Sequence, residues 1–227
     1  MRYFLTIAAS DSSGGAGIQQ DLKMAQRMGF WGLSAVTAVT AQSFDKFLFM
    51  EEVSEKAFIS QLDVIFNNFH ISAIKIGVIP SIRFAEIIVD YLQKVNCPIV
   101  YDPVIKSSSG YSFQKDDPIE IVKILAEKVT IITPNIPEYQ LIIPHSSLLT
   151  TNYYVKGGHQ SSQSIIEYLL IGDKKTRFSY KRLKWDYSRG TGCAFSSLLS
   201  MFLVDNDIMK ACKSARRELV KFYSKMN

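Results

Sequence analysis

The chain has 227 residues, 47% hydrophobic and 21% charged, which excludes disorder and supplies enough apolar material for one large core in one domain, 1–227, with no linker-like stretch inside it. The formal charge of +5 is scattered, with mild concentrations only at Lys174–Lys184 and Lys210–Lys225 and no aromatic-interleaved basic stripe, so a nucleic-acid partner is not expected. Cys97, Cys193 and Cys212 have no CxxC spacing, which argues against a disulfide framework or structural zinc and for a reducing cytoplasm, and no apolar run nears the roughly 18 residues of a membrane span.

The first apolar stretch, Tyr3–Ala9, reads as a strand. It runs into Ser10-Asp11-Ser12-Ser13-Gly14-Gly15-Ala16-Gly17, a loop of small residues that opens a helix near Ile18. Small residues let a ligand approach the backbone, and a helix N-terminus favours polar or anionic groups. The loop fits neither GxGxxG nor the Walker pattern, which disfavours a dinucleotide site; a glycine-rich turn without a ligand is the plain alternative.

A strand over Leu33–Ala41 follows. Phe58, Leu62, Ile65, Phe66 and Phe69 then share one helical face, Ile71–Ile79 reads as a strand, and Ala85, Ile88, Val89, Leu92 and Val95 mark a helix after Pro80-Ser81. Two further strands, Pro98–Ile105 and Val129–Thr133, carry Asp102-Pro103 and lead into Asn135-Ile136-Pro137-Glu138. Carboxylates at adjacent strand ends could hold Mg²⁺ through water. Equally, Asp102 and Asn135 could cap turns and Glu138 begin a helix.

The strand Tyr153–Val155 delivers Lys156-Gly157-Gly158-His159, where the lysine could meet phosphate or simply occupy an exposed turn, with His159 as a polar turn residue. With three His and none at metal-ligand spacing, no transition-metal site is expected. Ile165–Ile171 and Arg177–Leu183 read as an antiparallel edge hairpin. Gly190-Thr191-Gly192-Cys193 opens an apolar helix over about 194–203, where successive amides can receive phosphoryl charge and the helix end would stabilise a Cys193 thiolate; a buried, inert Cys is the alternative. Ile208, Ala211, Cys212, Ala215, Leu219 and Phe222 form the stripe of a closing helix. The alternation predicts an α/β fold, a largely parallel central sheet flanked by helices on both faces, with ligands at the carboxyl ends of the strands.

In order, TIAASDSSGGAGIQQDLK, TAVTAQ, AIKIGV, YDPVIKSSSG, ITPNIPE, VKGGH and RGTGCAFSS resemble the hydroxymethylpyrimidine/phosphomethylpyrimidine kinase family, from Thr6 to Ser197. The resemblance implies a ribokinase-like fold and a cytoplasmic kinase of thiamine biosynthesis, with ATP and Mg²⁺ as donor and metal and a pyrimidine as acceptor. It implies that Gly190, Thr191, Gly192 and Cys193 form the catalytic anion hole, Cys193 standing where related sugar kinases carry an aspartate base. It places Ala9, Asp11, Gly15, Ala16, Gly17, Gln42, Val78 and Val104 at the substrate, Gln42 hydrogen-bonding the pyrimidine. It assigns Asn135, Lys156, Gly157 and Arg216 to the nucleotide and Asp102 and Glu138 to the metal. Relatives are often homodimers, so the resemblance allows one.

Departures from the family pattern are Ala9 for Gly, Ser12 for Pro, Val78 for Met, Arg189 for His and Arg216 for Lys. The stretch from Glu138 to Tyr153 is also shorter than in relatives, which predicts that a connecting helix there is shortened or lost and that a parallel crossover barely fits. A pyridoxal kinase and a noncatalytic ligand-binding relative are the competing functions.

Overall fold

Strand β1 (Tyr3–Asp11) is apolar on both faces because both are covered: Phe4 and Leu5, adjacent in sequence, belong to different cores. The computed structural model describes residues 1–106, 110–145, 151–158, 164–182 and 190–225. After β1 come α1 (Gly17–Arg27), β2 (Trp31–Gln42), β3 (Phe47–Glu52), α2 (Glu55–Asn68) and β4 (Ile71–Ile76). Next are α3 (Ile82–Leu92), β5 (Ile99–Tyr101), α4 (Pro118–Ala126), β6 (Ile131–Ile132), α5 (Ile136–Ile142) and β7 (Tyr153–Val155). The hairpin β8 (Ser164–Ile171) and β9 (Lys174–Lys181) and the helices α6 (Thr191–Phe202) and α7 (Ile208–Tyr223) complete the described elements.

The sheet order is β3-β2-β1-β4-β5-β6-β7-β8-β9. From β2 to β7 the strands are parallel, with Leu5 opposite both Leu33 and Ile74, Val100 opposite Ile131 and Ile132 opposite Tyr153. Antiparallel β3 closes one edge, and antiparallel β8 and β9 close the other, as expected for the hairpin. On one face Leu5, Ile7, Ile74, Ile76 and Tyr101 pack with α2, α3 and α4. On the other, Phe4, Ala73 and Val100 pack with α1, α6 and α7, where Ala25, Ala194, Ala211 and Ala215 permit close approach.

Several boundaries differ from the sequence expectation. Strands β4, β5 and β6 are shorter than their apolar runs, because beyond Ile76, Tyr101 and Ile132 the chain leaves the ladder to build the cavity rim. Helix α6 begins three residues earlier, at Thr191. Strand β3 and helix α4 were not anticipated, and β2 therefore connects to β3 without an intervening helix. Strand β6 pairs in parallel with β7, and the two-turn α5 lies between them in the chain, residues 146–150 lying outside the described ones. His159, Leu183 and Arg189 lie outside the described residues.

Candidate active site

The parallel strands open at their carboxyl ends on one cavity of about 810 Å³. It lies beside the point where the connection from β1 goes one way to β2 and β4 takes the other side, the place where open α/β sheets bind ligands. Of the site residues expected from sequence, Ala9, Asp11, Ala16, Gly17, Gln42, Val78, Asp102, Val104, Asn135, Glu138, Lys156, Arg216 and Gly190 through Cys193 are on its wall. Gly15 and Gly157 are not.

Two glycine loops form the floor. The Asp11 carboxylate accepts the Ser13 amide and hydroxyl at 2.8 Å on Oδ1 and the Ala16 amide at 2.7 Å on Oδ2. This 2%-exposed side chain therefore shapes the loop. Gly190 has φ +69°, and a Cβ there would lie 1.9 Å from the Gly15 carbonyl oxygen. The two loops thus touch backbone to backbone, which only glycine at position 190 permits. Gly15 serves this contact from behind the wall.

Helix α6 starts at Gly190 without a side-chain cap, so its first amides point toward the cavity with the positive end of the helix dipole. Burial pushes the Cys193 thiol up to about 11; Lys75 opposes this, Asp21 and Asp102 add to it, and a hydrogen bond from the Gly17 amide works against it. The expected stabilised thiolate is corrected by this: at neutral pH the group is a thiol, because desolvation outweighs the helix end.

Asp102 accepts a very short bond from Lys156 and one from Ser196 Oγ at 3.2 Å. Lys156 is 14% exposed in its side chain, so it is no solvent-facing turn lysine. Burial works to lower its ammonium, but Asp102 and Glu138 outweigh that and raise it. Asn135 caps α5: its Oδ1 accepts the Glu138 amide at 2.9 Å and Glu138 Oε2 accepts the Asn135 amide at 2.8 Å, a capping box. The capping alternative thus holds for Asn135 and Glu138, and both still face the cavity. Burial and the Asp102 charge push the Glu138 carboxyl up to about 7, against Lys156 and the Asn135 and Ile105 amides.

At the other end, Gln42 Nε2 donates to Thr40 Oγ1 at 3.1 Å, which in turn donates to the Ser10 carbonyl at 2.9 Å. The Gln42 amide is held between β1 and β2 beside apolar Val78, Val104, Phe44 and Phe113. Arg216 of α7 reaches the opposite rim, 3.6 Å from Glu167 and stacked over Tyr180 with its carbon 4.8 Å from the ring centroid. Gly157 stands behind it: a Cβ there would lie 2.2 Å from the Ile166 carbonyl oxygen, and its amide donates to Glu167 at 3.3 Å. That glycine serves strand packing.

Sequence reasoning missed Glu167, the aromatic wall residues Phe44 and Phe113, and a fully buried pair, Asp21 and Lys75. The signal for the pair was one lysine inside the apolar run Ala73–Val78. Among the described residues no group of three or more His, Cys, Asp and Glu side chains could hold a metal ion, and no helix is long and apolar enough to cross a membrane.

Known proteins place this architecture. The family model described as phosphomethylpyrimidine kinase matches residues 11–222. A hydroxymethylpyrimidine/phosphomethylpyrimidine kinase of Aquifex aeolicus is 30% identical over 93% of this chain and 90% of its own, and one of Haemophilus influenzae is 33% identical over 95% and 88%. The crystal structure of a phosphomethylpyrimidine kinase from Clostridium difficile superposes with a TM-score of 0.81 at 30% identity, covering 98% of this chain and 99% of that one. Pyridoxal kinase of Staphylococcus aureus in complex with AMP-PCP and pyridoxal, at 22% identity over 97% of this chain and 87% of that one and a TM-score of 0.85, shares the fold. With these motifs in place around one cavity, the chain belongs to the phosphomethylpyrimidine kinase family of phosphotransferases.

Proposed function

We propose that the protein transfers the γ-phosphoryl group of ATP to hydroxymethylpyrimidine or its monophosphate, in thiamine biosynthesis. The observation that carries this reading is the uncapped start of α6, which opens between a held amide, Gln42, and a cluster of buried charges, Asp102, Lys156 and Glu138. An acceptor hydroxyl positioned from the Gln42 end can approach phosphorus in line. The nucleotide then lies toward Lys156, Asn135 and Arg216.

Phosphoryl transfer needs little covalent help from protein, because its transition state spreads charge over oxygens. The amides of Thr191, Gly192 and Cys193 receive that charge, and Lys156 adds a fixed cation beside Gly192, where a Cβ would come within 3.2 Å of its Nζ. Cys193, a thiol, shapes the floor. Phe44, Phe113, Val78 and Val104 exclude water from the acceptor end.

The oxygen donors of Asp102 and Glu138 would suit Mg²⁺ held through water, beside the Lys156 ammonium that already pairs with Asp102. Bound there, the ion would offset phosphate charge. Coupled ADP release by the purified protein with Mg-ATP tests the reading, with hydroxymethylpyrimidine, its monophosphate and pyridoxal offered in turn. ADP release dependent on either pyrimidine is expected. Release with pyridoxal alone would replace the acceptor, and no acceptor-dependent release from folded protein would overturn the kinase reading.

A further inference from the structure

Lys75 is the penultimate residue of the parallel strand β4, and its side chain is 0% exposed. An ammonium there is costly, and an apolar residue of similar size would generally serve the core as well. It donates to Asp21 Oδ2 at 2.8 Å, and Asp21, also 0% exposed, accepts Thr6 Oγ1 at 2.6 Å and Ser197 Oγ at 2.8 Å. One carboxylate thereby ties together β1, α1, β4 and α6. Thr6, Asp21 and Ser197 lie behind the cavity wall, and Lys75 is on it.

The pair is oriented. Asp21 faces the interior of α1 and α6, while the ammonium lies toward the cavity: a Cβ on Gly77, a wall residue, would come within 2.9 Å of Lys75 Nζ. Neighbouring residues of α6 divide between two buried carboxylates, since Ser196 donates to Asp102 and Ser197 to Asp21. Two ion pairs, Asp102–Lys156 and Asp21–Lys75, therefore flank the first turns of the helix whose amides form the anion hole. Burial works against both charges: it would lower the Lys75 ammonium, which Asp21 and Asp102 outweigh and raise, and it raises the Asp21 carboxyl against the opposing pull of Lys75, Thr6 and Ser197, so each charge depends on the other.

We propose that Lys75 and Asp21 are positioning residues for phosphoryl transfer: a buried dipole with its positive end on the cavity wall beside Gly77, linked to α6 through Ser197, that orients the anion hole and adds to its field. The proposal rests on the kinase reading for its rate effect, but not for its electrostatic effect. With Asp21 behind the cavity wall and Lys75 on it, the pair should act more on the transition state, where phosphoryl charge develops, than on ground-state binding.

The test is the charge-free double variant Asp21→Asn/Lys75→Met, which keeps an acceptor for one of the Thr6 and Ser197 hydroxyls, offers the other an N–H to accept, and leaves no lone buried charge. Its kcat should fall by about tenfold or more with both KM values within about threefold, the pattern of an interaction made in the transition state. In the same protein, Cys193 should react more slowly with iodoacetamide at mildly alkaline pH, read on its own peptide by mass spectrometry, because the nearer positive charge has gone. A purely structural pair predicts restored folding together with normal kcat and unchanged Cys193 reactivity. Either a normal kcat or unchanged reactivity in the folded double variant overturns the proposal.

Should that variant not fold, Ser197→Ala, which keeps both charges and cuts the link to α6, decides it: a lowered kcat at constant KM supports the proposal, and a normal kcat overturns it. Wild-type protein that releases no ADP with any acceptor would sink the kinase reading alone. The Cys193 reactivity would then decide the electrostatic claim.

Discussion

A thiol at the first turn of a helix feels two opposed influences, and at Cys193 burial wins, leaving it neutral near pH 7 with a value of about 11. A neutral thiol removes little of the acceptor's proton. Cys193→Ala should therefore slow turnover by less than about 100-fold, the lower end of what a general base supplies. Gly192→Asp is different in kind. Its Cβ would start 3.2 Å from Lys156 Nζ and its carboxylate would fill the anion hole with negative charge, so kcat should fall by about 10³-fold or more. Steady-state kinetics on the two variants checks the contrast, and near-normal turnover from Gly192→Asp would refute the anion hole. Glu138 makes a further residue-scale prediction. Its carboxyl is raised from 4.5 to about 7 in the folded protein, so the folded chain holds a proton that the unfolded chain has released between those values. That contribution to stability is complete below about pH 4.5 and is lost as pH rises through 7, an effect of up to about 3 kcal/mol. Urea unfolding at several pH values should show Glu138→Gln lacking this part of the slope. Identical slopes would mean that Glu138 titrates normally.

Among elements, α5 is the shortest helix to place functional side chains, and seven residues cannot hold a helix by propensity. Its capping box and Pro137 stabilise it locally, and Ile142, fully buried, anchors its far end. Asn135→Ala should cost about 1 kcal/mol of stability and leave the Glu138 amide without its side-chain acceptor, loosening the turn that carries Glu138 to the cavity, so the KM for ATP should rise more than the KM for the acceptor. Equal effects on both would argue that α5 serves only the fold. The strands and helices with strong apolar periods were legible in sequence because packing on both faces demands that period. Strand β3 was not: Leu48 is 77% exposed and Phe49 52%, so its apolar residues answer to no core and carry no pattern. Helix α4 carried ordinary marks, Asp117 as N-cap and Pro118 in the first turn, and was legible in principle. What sequence could not give was pairing. Lys156 with Asp102 and Lys75 with Asp21 each join residues 54 apart, and only the order of the parallel strands and, for Asp21, the packing of α1 on them brings them together.

At the scale of the molecule the two faces of the sheet divide the labour. Helices α2, α3 and α4 contribute no residue to the cavity wall; on their face only the short α5 does, through Pro137, Glu138 and Leu141, whereas on the other face α1, α6 and α7 all do. The reason is topological: the two glycine loops at the amino ends of α1 and α6 meet through Gly15 and Gly190, and α7, packed on α6, brings Arg216, Leu219 and Val220 to the same rim. Stability and binding should therefore be coupled on one face and separable on the other. Leu62 of α2, 0% exposed, and Leu219 of α7, 1% exposed, are matched core residues on opposite faces. Either one changed to Ala should cost about 2–5 kcal/mol through lost transfer energy and a residual cavity. The kinetic consequences should differ: Leu219→Ala should also raise the KM for ATP several-fold by loosening the wall that carries Arg216, while Leu62→Ala, assayed well below its melting temperature, should leave both KM values unchanged. Denaturant unfolding and initial rates on the same preparations would measure both quantities. A KM shift of equal size in the two variants would show that the site responds to global stability, and that the division between a scaffold face and a site face does not hold.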